Sequence, residues 1–251
     1  MLLKTLKGYF HMTNENRLYP IFKALNNKLL AEDFVIDKSG SKTVEILGFK
    51  IELDPTQPIL DFGVRKTPIK YCEEEIKWYE SQSLSVDIIG NIAGLWKKIA
   101  DKHGNINSNY GWCIFSKENY YQFSNALEEL KRNKESRRSC MIYNRPSMQY
   151  DYCRDGMQEF MCTFATSHFI RDDKLIYIVN QRSMDLIYGF FSDLFWHCHV
   201  YNKLFCELVK YYPNLKPDSL IYIANTAHIY EKHFQLLHNM VEWYENKKTT
   251  V

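Results

Sequence analysis

Residues 160–182 constrain the fold of this chain more than any other stretch. Two segments, 160–170 and 174–182, are rich in β-branched and aromatic residues, and only Arg171-Asp172-Asp173 separates them. A polar turn that short joins two strands directly, so the chain contains a sheet. A long apolar run follows Asp193 and reads as a helix. Elsewhere the two kinds of segment are mixed. Residues 18–31 look helical, with Pro20 tolerable in a first turn. Residues 34–37 and 43–53 read as strands around a Ser39-Gly40 turn. Residues 69–81, 92–103 and 117–132 read as helices. In the last of these Phe123, Leu127 and Leu130 recur at i, i+4 and i+7. Residues 139–143 and 220–224 read as further strands, and 230–244 as a closing helix. Both types without a strict βαβ rhythm predict an α+β fold with a large mixed β-sheet. No linker or internal repeat interrupts the chain, so residues 1–251 are expected to form one domain.

Composition narrows the functional classes. With 45% hydrophobic and 25% charged residues the chain is not disordered, and it has apolar material for a full core. Its 32 basic and 30 acidic residues leave a net charge of +2, which is no footprint for direct nucleic-acid binding. No apolar stretch approaches the roughly 18 residues of a membrane span. Residues 1–12 lack the apolar segment of a signal peptide. The seven cysteines form no CxxC pair. They are expected to be free thiols in a reducing cytoplasm, with no metal site. His197-Cys198-His199 is read as partly buried helix residues rather than as ligands.

The chemistry concentrates between residues 160 and 193. Met161-Cys162-Thr163 is followed by Gln181-Arg182-Ser183-Met184-Asp185, then by Tyr188-Gly189-Phe190-Phe191-Ser192-Asp193. Ser136-Arg137-Arg138 stands upstream, and His228-Ile229-Tyr230 downstream. In order and spacing this set resembles the thymidylate synthase family, over residues 37–233. Within the family, four stretches look most like the phage branch that hydroxymethylates deoxycytidylate: DFVIDKSGSKTVEI (33–46), NSNYG (107–111), SRRSCMIYNRPSM (136–148) and DGMQEFMCT (155–163). The resemblance implies the family fold, with a sheet face forming a homodimer interface. It also implies 5,10-methylenetetrahydrofolate as co-substrate and a pyrimidine nucleoside monophosphate, dCMP, as substrate.

The resemblance also implies roles. Cys162 would attack C6 of the pyrimidine, which requires a thiolate and therefore a nearby cation, for which Arg182 is the candidate. Lys38, Arg182 and Ser183 would bind the phosphate, with Arg137 and Arg138 supplied by the partner subunit. His228 and Tyr230 would hold the sugar 3′-hydroxyl, since two residues apart they share a face if extended. Glu75 would transfer protons, and Tyr110 would lie beside C5. Trp96, Asp185 and Gly189 would form the folate site. Asp193 would select the base. Uracil presents an N3–H donor and an O4 acceptor, which suit the Asn that synthases carry there. Cytosine inverts both, which suits a carboxyl. Each residue also has a plainer reading. Asp193 could cap the following helix, Cys162 could be a small buried hydrophobe, and Glu73-Glu74-Glu75 could be a solvated acidic face. Arg137-Arg138 could be a solvated basic turn, and His228 and Tyr230 a surface and a core residue.

Two departures from the synthases bear on the reaction. Thr163 replaces the histidine that usually follows the nucleophile. The C-terminus (242–251) is polar rather than apolar. A looser, wetter closure by such a tail fits hydroxymethylation, which must admit water. A uridylate enzyme, a ribonucleotide hydroxymethylase and a non-catalytic nucleotide- or RNA-binding protein on the same fold remain alternatives at this level.

Overall fold

The computed structural model of the chain describes residues 12–37 and 40–249. Helix α1 (Asn14–Leu30) precedes strands β1 (Val35–Ile36) and β2 (Lys42–Leu53). Helices α2 (Ile69–Ser81), α3 (Ile89–Ile92), α4 (Leu95–Ile99), α5 (Tyr110–Phe115) and α6 (Gln122–Arg132) follow. Then come β3 (Cys140–Ile142), the single turn α7 (Met148–Asp151), β4 (Thr163–Arg171), β5 (Lys174–Gln181) and β6 (Met184–Asp185). Helix α8 (Gly189–Tyr211), β7 (Lys216–Tyr230) and α9 (Phe234–Thr249) complete the fold.

Among the described residues the strands form one mixed sheet in the order β1-β2-β7-β5-β4-β3, with β6 also on β7. Neighbours are antiparallel except β5 and β6, which run parallel to β7. The β4–β5 turn closes as its sequence predicts. Asp172 and Asp173 take φ of 51° and 56°, the left-handed pair of a type I′ hairpin turn, which aspartate tolerates well. Alternate residues Leu175, Tyr177, Val179 and Gln181 of β5 are buried under α8. That helix is apolar because it is buried along most of its length: Phe190, Leu194, His197, Tyr201, Leu204 and Leu208 all lie in the core. No helix of the described residues is long and apolar enough to cross a membrane.

Several boundaries differ from expectation for identifiable reasons. α1 begins at Asn14, because the Thr13 side chain accepts the Asn16 N–H as an N-cap. Pro20 is therefore inside the helix rather than in its first turn. The helix expected over 92–103 is two short pieces on either side of an extended Ala93. The helix expected from residue 117 starts at Gln122, after Tyr120 and Tyr121 turn left-handed (φ 61° and 51°). β7 runs 15 residues, well beyond 220–224, because its C-terminal half is paired on both sides, by β2 and by β6. α9 begins at Phe234, after a single 3-10 turn over Glu231–His233.

Candidate active site

The expected strand at 160–162 is absent because its carbonyls serve Arg182 instead. The Arg182 guanidinium donates to Phe160 O (2.5 Å) and Met161 O (3.0 Å), and its backbone N–H donates to Cys162 O (2.8 Å). The same guanidinium reaches Cys162 Sγ at 3.7 Å. Arg182 and Ser183 interrupt the pairing with β7 between β5 and β6, whose register on either side is Gln181↔Ala224 and Met184↔Ala227. On the other side of the thiol, β4 begins with a bulge between Thr163 and Ala165. Burial pushes the Cys162 thiol up to about 11, against the pull of Arg182, while Asp193 adds to the rise.

Asp193 does not cap α8. The helix starts four residues earlier, and the Asp193 carboxylate accepts the Gln181 side-chain N–H at 2.9 Å. Burial raises its pKa to about 6, although the Gln181 bond lowers it. Glu75 is equally unlike a solvated residue. It is buried on α2, whereas Glu73 is exposed and Glu74 pairs with Lys77. Burial pushes the Glu75 carboxyl up to about 8; the Tyr71 hydroxyl bond (2.5 Å) works against this, and the Asp193 charge adds to it. Burial thus raises both carboxyls, Glu75 more than Asp193, and the Asp193 charge acts on Glu75.

The segment NSNYG explains how Tyr110 arrives beside them. Asn109 is buried, and its carbonyl caps the Trp112 N–H (2.7 Å) while its amide donates to Trp78 O and Ser83 O. Gly111 lets α5 lie directly on α2: a Cβ there would sit 1.9 Å from Tyr79 O. The Tyr110 ring then stacks on Tyr79 at 5.3 Å, and its hydroxyl accepts from Thr163 Oγ1 at 3.2 Å. Gln181 Nε2 in turn donates to Thr163 Oγ1 at 3.3 Å. Tyr110, Thr163, Gln181 and Asp193 are thus one buried hydrogen-bonded chain.

His228 and Tyr230 lie on β7, extended as expected, with rings 4.7 Å apart. His228 is buried, and its Nε2 has no hydrogen-bond partner among the described residues. Trp96 donates its indole N–H to Tyr71 (3.0 Å), which joins it to Glu75. Exposed Ile92 and Leu95 flank it in sequence and offer apolar surface to a flat ring system. Asp185 Oδ1 accepts the N–H groups of Ile187 (2.9 Å) and Tyr188 (3.1 Å). At Gly189 an added Cβ would meet only Asp185 Cβ at 3.8 Å, an ordinary contact, so the protein itself does not require glycine there.

A family model for thymidylate synthase matches residues 22–251. The chain belongs to the thymidylate synthase family. It is 42% identical over 226 residues to the deoxycytidylate 5-hydroxymethyltransferase of Enterobacteria phage T6, covering 89% of each chain. It is 41% identical over 229 residues to the enzyme of that name in Enterobacteria phage T4, again over 89% of each. A thymidylate synthase of Francisella philomiragia is 24% identical over 210 residues, covering 79% of this chain and 75% of the other.

The fold thus gathers most of the residues that the family resemblance singles out. Cys162, Arg182, Asp193, Glu75 and Tyr110 form one cluster. Arg137 and Arg138 do not join it within one chain. Both are exposed on the α6–β3 connection, where Arg138 pairs with Glu129 (3.1 Å). Lys38 lies outside the described residues. Three neighbours of these residues were not singled out by sequence. Tyr71 stands at i−4 to Glu75, the spacing that lets helix side chains meet. Gln181 lies within the recognised motif, but only the fold reveals its contact with Asp193. Glu159 is buried, takes the Ser108 hydroxyl and the Asn107 N–H (3.1 Å), and acts electrostatically on Cys162.

Proposed function

We propose that this chain is a deoxycytidylate 5-hydroxymethyltransferase. It converts dCMP, 5,10-methylenetetrahydrofolate and water to 5-hydroxymethyl-dCMP and tetrahydrofolate. The observation that carries this reading is the buried Asp193 carboxyl, tied to Gln181 and acting electrostatically on the second buried carboxyl, Glu75. The names of relatives 41–42% identical over most of the chain support it. The whole chain acts as one catalytic domain within a homodimer, in the cytoplasm of a phage-infected cell.

The phosphate of dCMP lies against Arg182 and Ser183, joined by Lys38 and by the partner subunit's Arg137 and Arg138. The unpartnered Nε2 of His228 and the Tyr230 hydroxyl hold the 3′-hydroxyl. Near neutral pH Asp193 is ionised and Glu75 keeps its proton. Asp193 therefore accepts from the 4-amino group, and Glu75 supplies the proton that N3 needs. Cys162 Sγ bonds to C6, and Arg182 stabilises the thiolate that attacks. The addition makes C5 a carbon nucleophile, beside Tyr110. Trp96, Asp185 and Gly189 hold the folate, which supplies a one-carbon unit at the oxidation level of formaldehyde. The one-carbon unit bonds to C5, the C5 proton is lost and tetrahydrofolate leaves, so that the pyrimidine carries an exocyclic methylene. Water adds its hydroxyl to that carbon and gives up a proton, and the Cys162 thiolate leaves C6 as the C5–C6 double bond re-forms. Thr163 in place of histidine suits a site that tolerates that water.

The test is to incubate the purified chain with methylenetetrahydrofolate and, separately, dCMP, CMP and dUMP, and to identify products by mass spectrometry. Hydroxymethyl-dCMP as the main product is expected. A methylated or hydroxymethylated uridylate as the main product would overturn the reading.

A further inference from the structure

Behind the base site the core holds polar groups that the proposed reaction does not use. His197 lies one helical turn beyond Asp193 on α8 and is fully buried. Neither ring nitrogen has a hydrogen-bond partner among the described residues. Its ring centroid is 6.0 Å from that of Tyr143, 6.0 Å from Tyr177 and 5.9 Å from Tyr222. The Tyr222 hydroxyl and Gln181 Oε1 are buried and likewise unpartnered. The buried Tyr143 hydroxyl interacts with Tyr177 and with the Trp196 indole N–H, and Tyr177 with Thr166, but none of these contacts has the geometry of a full hydrogen bond. The cluster is continuous with the base site. Tyr177 and Gln181 share the inward face of β5, and His197 and Asp193 share a face of α8. Gln181 meets Asp193 at 2.9 Å where those two faces touch.

Buried polar groups in folded proteins almost always have a partner, so this concentration points to a ligand. Burial holds the His197 imidazole near a pKa of about 3, so it is neutral and offers one donor and one acceptor. The three phenols can each donate and accept, the indole N–H donates, and the amide oxygen accepts. A charged ligand has no counter-ion in such a set. Water matches it, since each molecule donates twice and accepts twice.

We propose that ordered water occupies this cluster and fixes the side-chain amide of Gln181. With water donating to Oε1, Nε2 faces Asp193 and Thr163, and the Asp193 carboxylate is held ionised for cytosine. The opposite amide orientation would put an acceptor against Asp193 and favour its protonated form. Gln181 and His197 are then positioning residues for base choice. The consequence for base choice rests on the cytosine reading, whereas the hydration does not.

A crystal structure of the nucleotide-free chain at about 1.5 Å tests the hydration directly. At least two ordered waters are expected at ~2.6–3.2 Å from the His197 nitrogens and the tyrosine hydroxyls, one of them bridging to Gln181 Oε1. Direct pairing of the hydroxyls with the imidazole, without water, would overturn the proposal. Calorimetric binding of dCMP and dUMP to His197→Leu and His197→Gln tests the consequence. Leucine is expected to cut the dCMP preference by about tenfold, the worth of one hydrogen bond, and glutamine to retain it. An unchanged preference in a folded leucine variant would refute the link to Gln181. If the leucine variant does not fold, 15N spectra of histidine-labelled wild-type protein decide the hydration: both His197 nitrogens hydrogen-bonded in a neutral ring supports it, and free nitrogens refute it. Waters present in a protein that shows no dCMP preference would leave the hydration standing and refute the cytosine reading instead.

Discussion

Replacing Glu75 by glutamine removes a carboxyl that the fold keeps protonated, and the effect on stability has a definite dependence on pH. The folded-state pKa is about 8, against 4.5 for the unreacted group. The folded chain therefore holds a proton that the unfolded chain releases above pH 4.5. Its contribution is fully present below pH 4.5 and is lost as pH rises through 8. At about 1.4 kcal/mol per pH unit, wild type loses about 3 kcal/mol relative to Glu75→Gln between pH 4.5 and 7. The difference levels off near 5 kcal/mol above pH 8. Coupling to Asp193 makes both figures ceilings. Glutamine still accepts from Tyr71, so the local packing is kept. Urea unfolding of both proteins at pH 5, 7 and 9 reads the difference, because the other titrating groups largely cancel in the comparison. Parallel stability curves for the two proteins across that range would refute the buried, protonated Glu75.

Other consequences follow from the same geometry. Because burial holds the Cys162 thiol near 11, its alkylation by iodoacetamide in the nucleotide-free protein should be slow at pH 7 and keep rising through pH 10. A plateau below pH 8 would contradict this. Gly111→Ala should cost more than ~3 kcal/mol or prevent folding, because its Cβ would collide with the Tyr79 carbonyl; thermal denaturation measures it. Mixing Cys162→Ser with an Arg137→Ala/Arg138→Ala double variant should restore turnover that neither has alone, since one site of the mixed dimer carries both wild-type parts. No restoration after subunit exchange would place the arginines elsewhere.

The fold was legible where local signals and packing agreed. Helix α2 is bounded as its periodicity predicts, and the Asp172-Asp173 hairpin forms for the reason its residues suggest. The misses share a physical cause, long-range hydrogen bonding that overrides local preference. Residues 160–162 are apolar enough for a strand, yet Arg182, 20 residues away, takes their carbonyls. Gln122 sets the start of α6 because its side chain ties Cys113 O and Ile142 O together. The second half of β7 looks polar because it is held by pairing to β2 and β6 rather than by apolar burial alone. In the site, the motif residues were legible as a set. Their partners Tyr71, Gln181 and Glu159 were not, because a glutamate or glutamine shows its role only when the fold reveals what it faces. Even Glu75 looks like its solvated neighbours until α2 turns it inward.

The central claim is that the Asp193 carboxyl chooses the base. The most direct measurement is kcat/KM for dCMP and for dUMP, in wild type and in Asp193→Asn, with methylenetetrahydrofolate present. Asparagine presents one acceptor and one donor to the base, so the dCMP-to-dUMP ratio should fall by roughly 10³–10⁴-fold, the scale at which a site built for one hydrogen-bond pattern rejects the other. A ratio that stays within about tenfold of wild type, in a folded protein that still turns over nucleotide, would show that Asp193 does not read the pyrimidine.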